Sequence, residues 1–332
     1  MSPNKKTLLS GIQPSGKLGI GNYLGAIKNW VKLQDEYNCI FLIVDLHALT
    51  LKQVPADLRD RCYSYVAQYI ACGIDPTKNV VAMQSHVPAH TQLMWIFSNL
   101  SYMGEMQRMT QFKDKVKDME NINVGLFSYP ILMASDILIY QADLVPVGAD
   151  QKQHLELARN IAQRFNTQYS DTFPIPEPYI PQTGSRIMSL QNPDKKMSKS
   201  DGNDNNILGL LDPPDMIVKK IKRAVTDSGN TIGYDESRPG LANLLNIYSA
   251  LSGESVKNIE AEFEGKMYSD FKQDLAEVVV ESLAPIQIKY NELINDKAYL
   301  AEVLSEGTEK ASKIAFKTIR KVYKKSGLVQ PI

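Results

Sequence analysis

The chain has 332 residues, enough for about two domains at the usual size of roughly 150 residues each. Its hydrophobic content of 43% suffices for a sizeable core, and 37 basic residues balance 37 acidic ones, so net charge neither demands nor excludes a nucleic-acid partner. The apolar runs are far shorter than the ~20 residues of a membrane span, and the first residues lack the layout of a secretory signal. Three cysteines without C-x-x-C spacing argue against a disulfide framework and a cysteine-based zinc site. We therefore expect a cytoplasmic protein without a membrane partner.

The first half of the sequence alternates strand-like and helix-like patterns. Residues 7–11, 39–44 and 79–83 are short apolar runs of the kind that is buried on both faces of a parallel sheet. Residues 56–72 have helical spacing and stop at Gly73, a common helix C-terminal residue. Strand, helix and strand in succession predict an α/β fold, a Rossmann-like doubly wound parallel sheet with ligands at the carboxyl ends of its strands.

The second half has a different texture. Residues 172–206 are rich in Pro, Gly, Ser, Asn and Lys, which predicts loops. Helical periodicity then dominates, over 216–225, 240–251, 268–294 and 298–325. We predict a Rossmann-like domain over 1–195, a mobile lysine loop and linker over 196–206, and a mainly helical C-terminal domain over 207–332.

Two glycine- or lysine-rich segments are candidate phosphate sites. Glycines 11, 16, 19 and 21 follow the first strand, where a helix beginning near Asn22 would offer N–H groups to an anion, although such turns also merely connect strands to helices. The spacing fits neither the dinucleotide fingerprint nor the Walker loop. Lys196 and Lys199 lie in a polar loop that could bring cations onto a polyphosphate, or could be an ordinary solvated basic loop.

Two carboxylates are candidate ligand-binding residues. Asp150 followed by Gln153 resembles a helix capping box, and its position after a strand also suits ribose hydroxyls. Asp136 lies in the almost wholly apolar run ILMASDILIY, in a helix whose first turn would contain Pro130. A buried carboxylate is costly without a partner, so it either pairs with a basic residue of the protein or lines an aromatic pocket as an acceptor for a ligand.

These elements, in chain order, resemble the class I aminoacyl-tRNA synthetases, and among them the bacterial tryptophan-specific branch. The resemblance rests on GIGN at 19–22, GADQ at 148–151 and KMSKS at 196–200. Similar stretches are VDLHA at 44–48, MTQFK at 109–113, RIMS at 186–189 and AVTDS at 224–228. The resemblance covers nearly the whole chain, and the lysine motif is its most specific part.

The resemblance implies an activity in two steps. Tryptophan and ATP, with Mg²⁺, would form tryptophanyl-adenylate and pyrophosphate, and the acyl group would pass to the terminal adenosine of tRNA(Trp). Lys196 and Lys199 would stabilise charge on the leaving pyrophosphate, with Lys115 assisting. The residues implied to bind ATP are Gln13, Pro14, Ser15, Gly21, Asn22, Gly148, Ala149, Asp150, Ile187, Lys196, Met197, Ser198, Lys199 and Ser200.

The same resemblance implies a tryptophan pocket and further partners. Asp136 would accept the indole N–H, because indole has a single donor on an otherwise apolar ring. The other residues implied to bind tryptophan are Met133, Tyr129, Gln151 and His47. A homodimer is implied, as is a tRNA-binding role for the helical domain, whose last helix could pack back on the catalytic domain.

Three features depart from the motifs or remain open. Gly19 and Asn22 replace the two histidines common in this class, so backbone N–H groups would contact the phosphates instead. His86 and His90 have i, i+4 spacing, but Pro88 interrupts the helix, and we predict no metal site. Residues 310–325 carry lysines and an arginine without acidic residues, a pattern that fits RNA contact and an ordinary solvated face equally well.

Three other functions remain as alternatives. A tyrosine-specific synthetase would share the fold and the lysine loop, but the single-carboxylate helix and the lack of an RNA-binding segment after residue 332 argue against it. A non-catalytic paralogue would not be expected to keep both Lys196 and Lys199. A small-molecule nucleotidylyltransferase would share the first turn, the glycine-rich residues 10–23 between the first strand and the first helix. The long helical segment fits such an enzyme poorly.

Overall fold

The computed structural model describes residues 4–116, 120–148, 151–180, 186–199, 201–229 and 231–329, with Lys115 described by its backbone alone. Within these ranges five parallel strands form one sheet in the order β3-β2-β1-β4-β5. The strands are β1 Thr7–Ile12, β2 Asn38–Ile43, β3 Val80–Met83, β4 Leu144–Pro146 and β5 Glu177–Tyr179. The predicted Rossmann-like sheet is confirmed, and β3 and the part of β2 after Asn38 are apolar because both faces of the sheet are covered.

Helices cover the two faces of the sheet. The first helix begins with α1 Ile20–Asn22, continues through a π-helical segment Tyr23–Ile27 and ends as α2 Lys28–Leu33. The next helices are α3 Asp45–Ala48, α4 Pro55–Ala71, α5 Ala89–Ser98, α6 Met103–Gln107, α7 Thr110–Val116, α8 Val124–Ile139 and α9 Lys152–Gln168. The second half consists of α10 Pro214–Arg223, α11 Pro239–Ser252, α12 Val256–Glu262, α13 Tyr268–Asn295 and α14 Lys297–Lys325.

Two local predictions were wrong. Residues 172–206 are not all loop, because Pro178 lies in β5 opposite Val145, at the edge of the sheet, where a missing N–H costs little. Helix α8 begins at Val124, so Pro130 and Tyr129 lie inside it rather than at its entry. The side chain of Asn123 sets that start, because it accepts a hydrogen bond of 2.8 Å from the N–H of Leu126.

The C-terminal helix lies directly against the sheet. At Gly307 of α14 an added Cβ would be 1.8 Å from the carbonyl oxygen of Val81 in the edge strand β3. Helix backbone therefore covers strand backbone, which shields an edge that would otherwise be open to pairing. The boundaries proposed at 195 and 206 remain predictions.

No helix in the described part of the chain has both the length and the apolarity required to cross a membrane.

Candidate active site

A cavity of about 330 Å³ opens at the carboxyl ends of β1 and β4. These strands carry the point at which the order of the sheet reverses, the usual place for a ligand in a doubly wound fold. The predicted residues that line it are Gln13, Asn22, His47, Tyr129, Met133, Asp136, Gln151 and Lys199. Residues implied to bind ATP and residues implied to bind tryptophan thus share one cavity.

Other predicted residues are not among those that line the cavity. They are Pro14, Ser15, Gly21, Gly148, Ile187, Lys196, Met197 and Ser198. A Cβ added at Gly21 would lie 3.6 Å from Cβ of Ile187 and 3.7 Å from Sδ of Met197, so the lysine motif rests on the first turn. Ala149, Asp150, Ser200 and the side chain of Lys115 lie outside the described residues.

The two lysines of the motif have different surroundings. Lys199 donates from Nζ to the carbonyl of Gln13, and its Nζ lies 5.5 Å from the centroid of the Tyr65 ring. Burial lowers the pKa of Lys199 to about 7. Lys196 is exposed and pairs through its backbone with Met188 in a short antiparallel bridge. Only Lys199 therefore reaches the cavity in this conformation.

The lysine motif is anchored to the helical half by one amide. Asn243 of α11 donates from Nδ2 to the carbonyl of Met188 at 2.9 Å and accepts from the N–H of Met188 at 2.8 Å. Asn243 is buried, and both polar ends of its side chain are used. Helix α11 thereby holds Met188, the residue whose backbone pairs with Lys196 of the lysine motif.

The structure explains why position 19 is a glycine. Ile20 donates its N–H to the carbonyl of Leu208 at 2.7 Å, and Gly19 faces Gly209 in an antiparallel bridge. A Cβ at Gly19 would lie 2.9 Å from Cγ2 of Ile207, closer than real Cβ contacts. The first turn is therefore paired with the segment after the lysine loop, which leaves no room for a side chain at position 19.

Asn22 has a structural role besides lining the cavity. Its Oδ1 accepts the N–H of Gly19 at 3.1 Å and so caps the first helix. The helix begins at Ile20, two residues before the predicted start.

Asp136 has partners inside the protein. It is 3% exposed, and both of its oxygens lie 2.8 Å from Nε2 of Gln84. Nδ1 of His90 lies 2.7 Å from Oδ1, and Nε2 of His47 lies 2.8 Å from Oδ2. Among the described residues, the partners of Asp136 are thus two histidines and an amide rather than a lysine or an arginine.

These contacts decide the charge of Asp136. Burial alone would raise the pKa of its carboxyl, but hydrogen bonds from His47 and His90 outweigh burial and hold the pKa below the ordinary value. Asp136 is therefore an ionised acceptor at neutral pH. His47 is the partner that also lines the cavity, and it contacts Oδ2 of the carboxylate.

A second polar group lies on the same helix. The hydroxyl of Tyr129 is 2.8 Å from Nε2 of His154 and donates to Oε1 of Gln111 at 3.3 Å. Burial raises the pKa of Tyr129 to about 12, so its hydroxyl stays protonated at neutral pH. The ring of Tyr129 lies edge-on to that of His47, with centroids 6.2 Å apart.

Sequence reasoning missed the residues behind Asp136. His90 was considered only with His86 as a metal pair, but His90 contacts Asp136 and Tyr140, and His86 lies 3.3 Å from the hydroxyl of Thr308. Gln84 belongs to none of the motifs described above. The one available signal was Tyr140, which follows Asp136 by one helical turn.

Comparisons with known proteins identify the family of the chain. Residues 2–284 match the family model of class I tRNA synthetases for tryptophan and tyrosine. Tryptophan–tRNA ligase of Clostridium acetobutylicum is 58% identical over 100% of this chain and 99% of its own length, and that of Clostridium tetani is 56% identical over 99% and 98%.

Solved structures give the same result. The tryptophanyl-tRNA synthetase of Mycoplasma pneumoniae has a TM-score of 0.91 at 38% identity and covers 98% of each chain. The enzyme of Campylobacter jejuni, solved with ADP and tryptophan, has a TM-score of 0.85 at 36% identity and covers 97% of this chain and 100% of its own. The chain therefore belongs to the class I tRNA synthetase family of the tryptophan and tyrosine enzymes.

Proposed function

We propose that the chain is a tryptophan–tRNA ligase. It activates L-tryptophan with ATP to form tryptophanyl-adenylate and pyrophosphate, then transfers the tryptophanyl group to the 3′-terminal adenosine of tRNA(Trp). The observation that carries the proposal is that Lys199 and Asp136, a cation for phosphate and an acceptor for indole, line the same cavity. Full-length curated relatives of that name support it.

The nucleotide would bind between the first turn and the lysine motif. The tryptophan carboxylate attacks the α-phosphorus of ATP, and negative charge moves onto the leaving pyrophosphate. Lys199, joined by Lys196 if the exposed loop closes further, would stabilise that charge more in the transition state than in bound ATP. The residues that we propose border ATP are Gln13, Pro14, Ser15, Gly21, Asn22, Gly148, Ala149, Asp150, Ile187, Met197, Ser198 and Ser200, with Lys115 assisting the lysines.

Tryptophan would bind at the Asp136 side of the cavity. Oδ2 of Asp136 accepts the indole N–H beside His47, and Met133 packs on the ring. Tyr129 and Gln151 hold the amino group. A side chain that does not place a donor at that point would forgo a hydrogen bond to a charged acceptor, and this loss would penalise the wrong substrate.

Mg²⁺ would come with ATP. Among the described residues no group of three or more His, Cys, Asp or Glu side chains is placed to hold a metal ion. Oxygens of the triphosphate suit this ion, which commonly binds through substrate phosphates and water and would there neutralise phosphate charge.

We also propose a homodimer in the cytoplasm. Trp95, Tyr102 and Met103 are close in sequence, apolar and 73%, 62% and 64% exposed, which fits a surface covered by a second copy. The described cysteines are free and buried, as expected in a reducing compartment. Light scattering on the purified chain should give the mass of two copies, and a monomer would contradict the dimer.

ATP–pyrophosphate exchange tests the activity. Exchange should depend on tryptophan and be absent with tyrosine or without an amino acid. Asp136→Asn removes the charge with little change of shape and should raise KM for tryptophan by about 10- to 100-fold, the equivalent of one charge-assisted hydrogen bond of roughly 1.5–3 kcal/mol. KM for ATP should stay unchanged, and equal changes in both would refute the indole role of Asp136.

A further inference from the structure

His90 joins Asp136 to a tyrosine one turn further along the same helix. Nδ1 of His90 lies 2.7 Å from Oδ1 of Asp136, and its Nε2 lies 2.8 Å from the hydroxyl of Tyr140. His90 is 0% and Tyr140 1% exposed. Both ring nitrogens of a fully buried histidine are therefore held by α8 and the residue that caps its C-terminus, although His90 itself belongs to α5.

The direction of these hydrogen bonds follows from Asp136. An ionised carboxylate can only accept, so the proton of a neutral His90 ring lies on Nδ1. Nε2 then accepts from the hydroxyl of Tyr140, which stays protonated because burial, and next the charge of Asp136, raise the pKa of Tyr140. Asp136 thus sets the imidazole tautomer, and Tyr140 satisfies the nitrogen on the other side of the ring.

Gln84 supports the carboxylate from another side. Its Oε1 accepts the N–H of Leu46 at 3.1 Å, which fixes the amide so that Nε2 faces both oxygens of Asp136. The lining of the cavity includes Asp136 and His47 but not Gln84, His90 or Tyr140. These last three residues therefore act on a bound ligand only through Asp136.

We propose that His90 and Tyr140 are positioning residues for tryptophan selection, which hold the Asp136 carboxylate in the single orientation that offers Oδ2 to the ligand space. This inference rests on the proposed function, because it assumes that Asp136 accepts the indole N–H. Without the tyrosine hydroxyl, Nε2 of His90 loses its partner, so the ring can turn and the carboxylate can rotate with it. Support for a binding group by a second layer of hydrogen bonds is the general means of fixing such a group.

The test is the kinetics of Tyr140→Phe in ATP–pyrophosphate exchange. This variant removes one oxygen and keeps the ring, so its fold should be preserved. KM for tryptophan should rise between about twofold and tenfold, the range equivalent to one neutral hydrogen bond, while KM for ATP stays unchanged. His90→Asn keeps a donor near Nδ1 and should resemble Tyr140→Phe, whereas His90→Leu should raise KM for tryptophan further.

Tyr69→Phe is a matched control. Tyr69 is 0% exposed, and its hydroxyl donates to the carbonyl of Leu42 at 3.4 Å, without contact to Asp136. It should alter thermal stability like Tyr140→Phe and leave KM for tryptophan unchanged. An unchanged KM for tryptophan in Tyr140→Phe, or equal changes for tryptophan and ATP, would overturn the inference while wild-type exchange and the Asp136→Asn effect remain. A wild type without tryptophan-dependent exchange would overturn the proposed function and the inference with it.

Discussion

At Lys199 the site has a proton equilibrium close to neutral pH. Burial lowers the pKa of this ammonium from 10.5 to about 7, and its nearest polar neighbour is the carbonyl of Gln13 rather than a carboxylate. Between pH 7 and pH 10.5 the unfolded chain keeps a proton on Lys199 that the folded chain has released. Stability should therefore rise with pH through this window as far as Lys199 is concerned, because the folded state no longer carries a buried charge.

ATP should reverse this effect. A triphosphate next to Lys199 favours the charged ammonium, so binding at pH 8.5 should take up a fraction of a proton up to one. Calorimetry in two buffers of different ionisation enthalpy measures that uptake. Lys199→Arg is the matched variant, because its guanidinium stays charged, and should bind ATP without this uptake. The same uptake in both proteins would show that another group is responsible.

Asp136 shows how far sequence can reach at the scale of residues. Its position in an apolar run predicts that it needs a partner, since an unpaired buried charge is costly. The identity of the partners could not be predicted, because Gln84 and His90 lie 52 and 46 residues away. Gln84 directly follows β3, and His90 meets Asp136 only when α5 packs on α8. The motifs predicted many residues that line the cavity, but they did not predict Gln84 and His90, which hydrogen-bond to Asp136 from outside the lining.

At the scale of elements, the contact of α14 with the sheet makes Gly307 a critical position. The atom that a new Cβ would meet is the backbone oxygen of Val81, which cannot rotate away as a side chain could. Gly307→Ala should destabilise the protein by about 1–3 kcal/mol, although alanine is the better helix former by about 1 kcal/mol. Urea unfolding measures the difference.

Gly25 provides the control for that substitution. It also lies in a helix, but a Cβ there meets nothing within 4 Å. Gly25→Ala should leave the free energy of unfolding unchanged or raise it. If Gly307→Ala is as stable as Gly25→Ala, then α14 does not lie against β3 in solution.

Helices were easier to predict than the edge of the sheet. The helical stretches 268–294 and 298–325 match α13 and α14 within one residue at each end, because a long 3.6-residue period leaves little freedom. Strand β5 has three residues and a proline, so it carries neither alternation nor length as a signal. Its pairing depends on β4, a non-local contact that no local pattern records.

At the scale of the whole molecule, a chain of ion pairs connects the first turn to the helical half. Lys220 of α10 is 2% exposed and pairs with Asp212 at 2.7 Å and with Asp204 at 2.9 Å. Asp204 also pairs with Lys17 of the first turn at 2.9 Å. Ion pairs therefore hold the segment after the lysine loop to both α10 and the first turn.

The exposed lysines near the end of α14 should contact tRNA. Lys317, Lys321 and Lys324 are exposed and recur at helical spacing, which places them on one face of α14 away from its buried side. Replacing all three by Gln should weaken tRNA binding and reduce its dependence on log[salt] by about 0.7–0.9 per lost phosphate contact. ATP–pyrophosphate exchange should not change, because these side chains do not line the cavity.

A second triple variant separates this effect from total charge. Lys52, Lys78 and Lys289 are also exposed, but Lys52 and Lys78 lie in connecting segments and Lys289 lies on α13. Their replacement by Gln lowers the net charge equally, so the long-range attraction of tRNA falls by a similar amount in both variants. If the dependence of tRNA binding on log[salt] falls more in the α14 variant than in the second variant, phosphates contact this face of α14. Equal slopes in the two variants would mean that α14 presents an ordinary solvated surface, and that tRNA reaches the cavity along another side of the molecule.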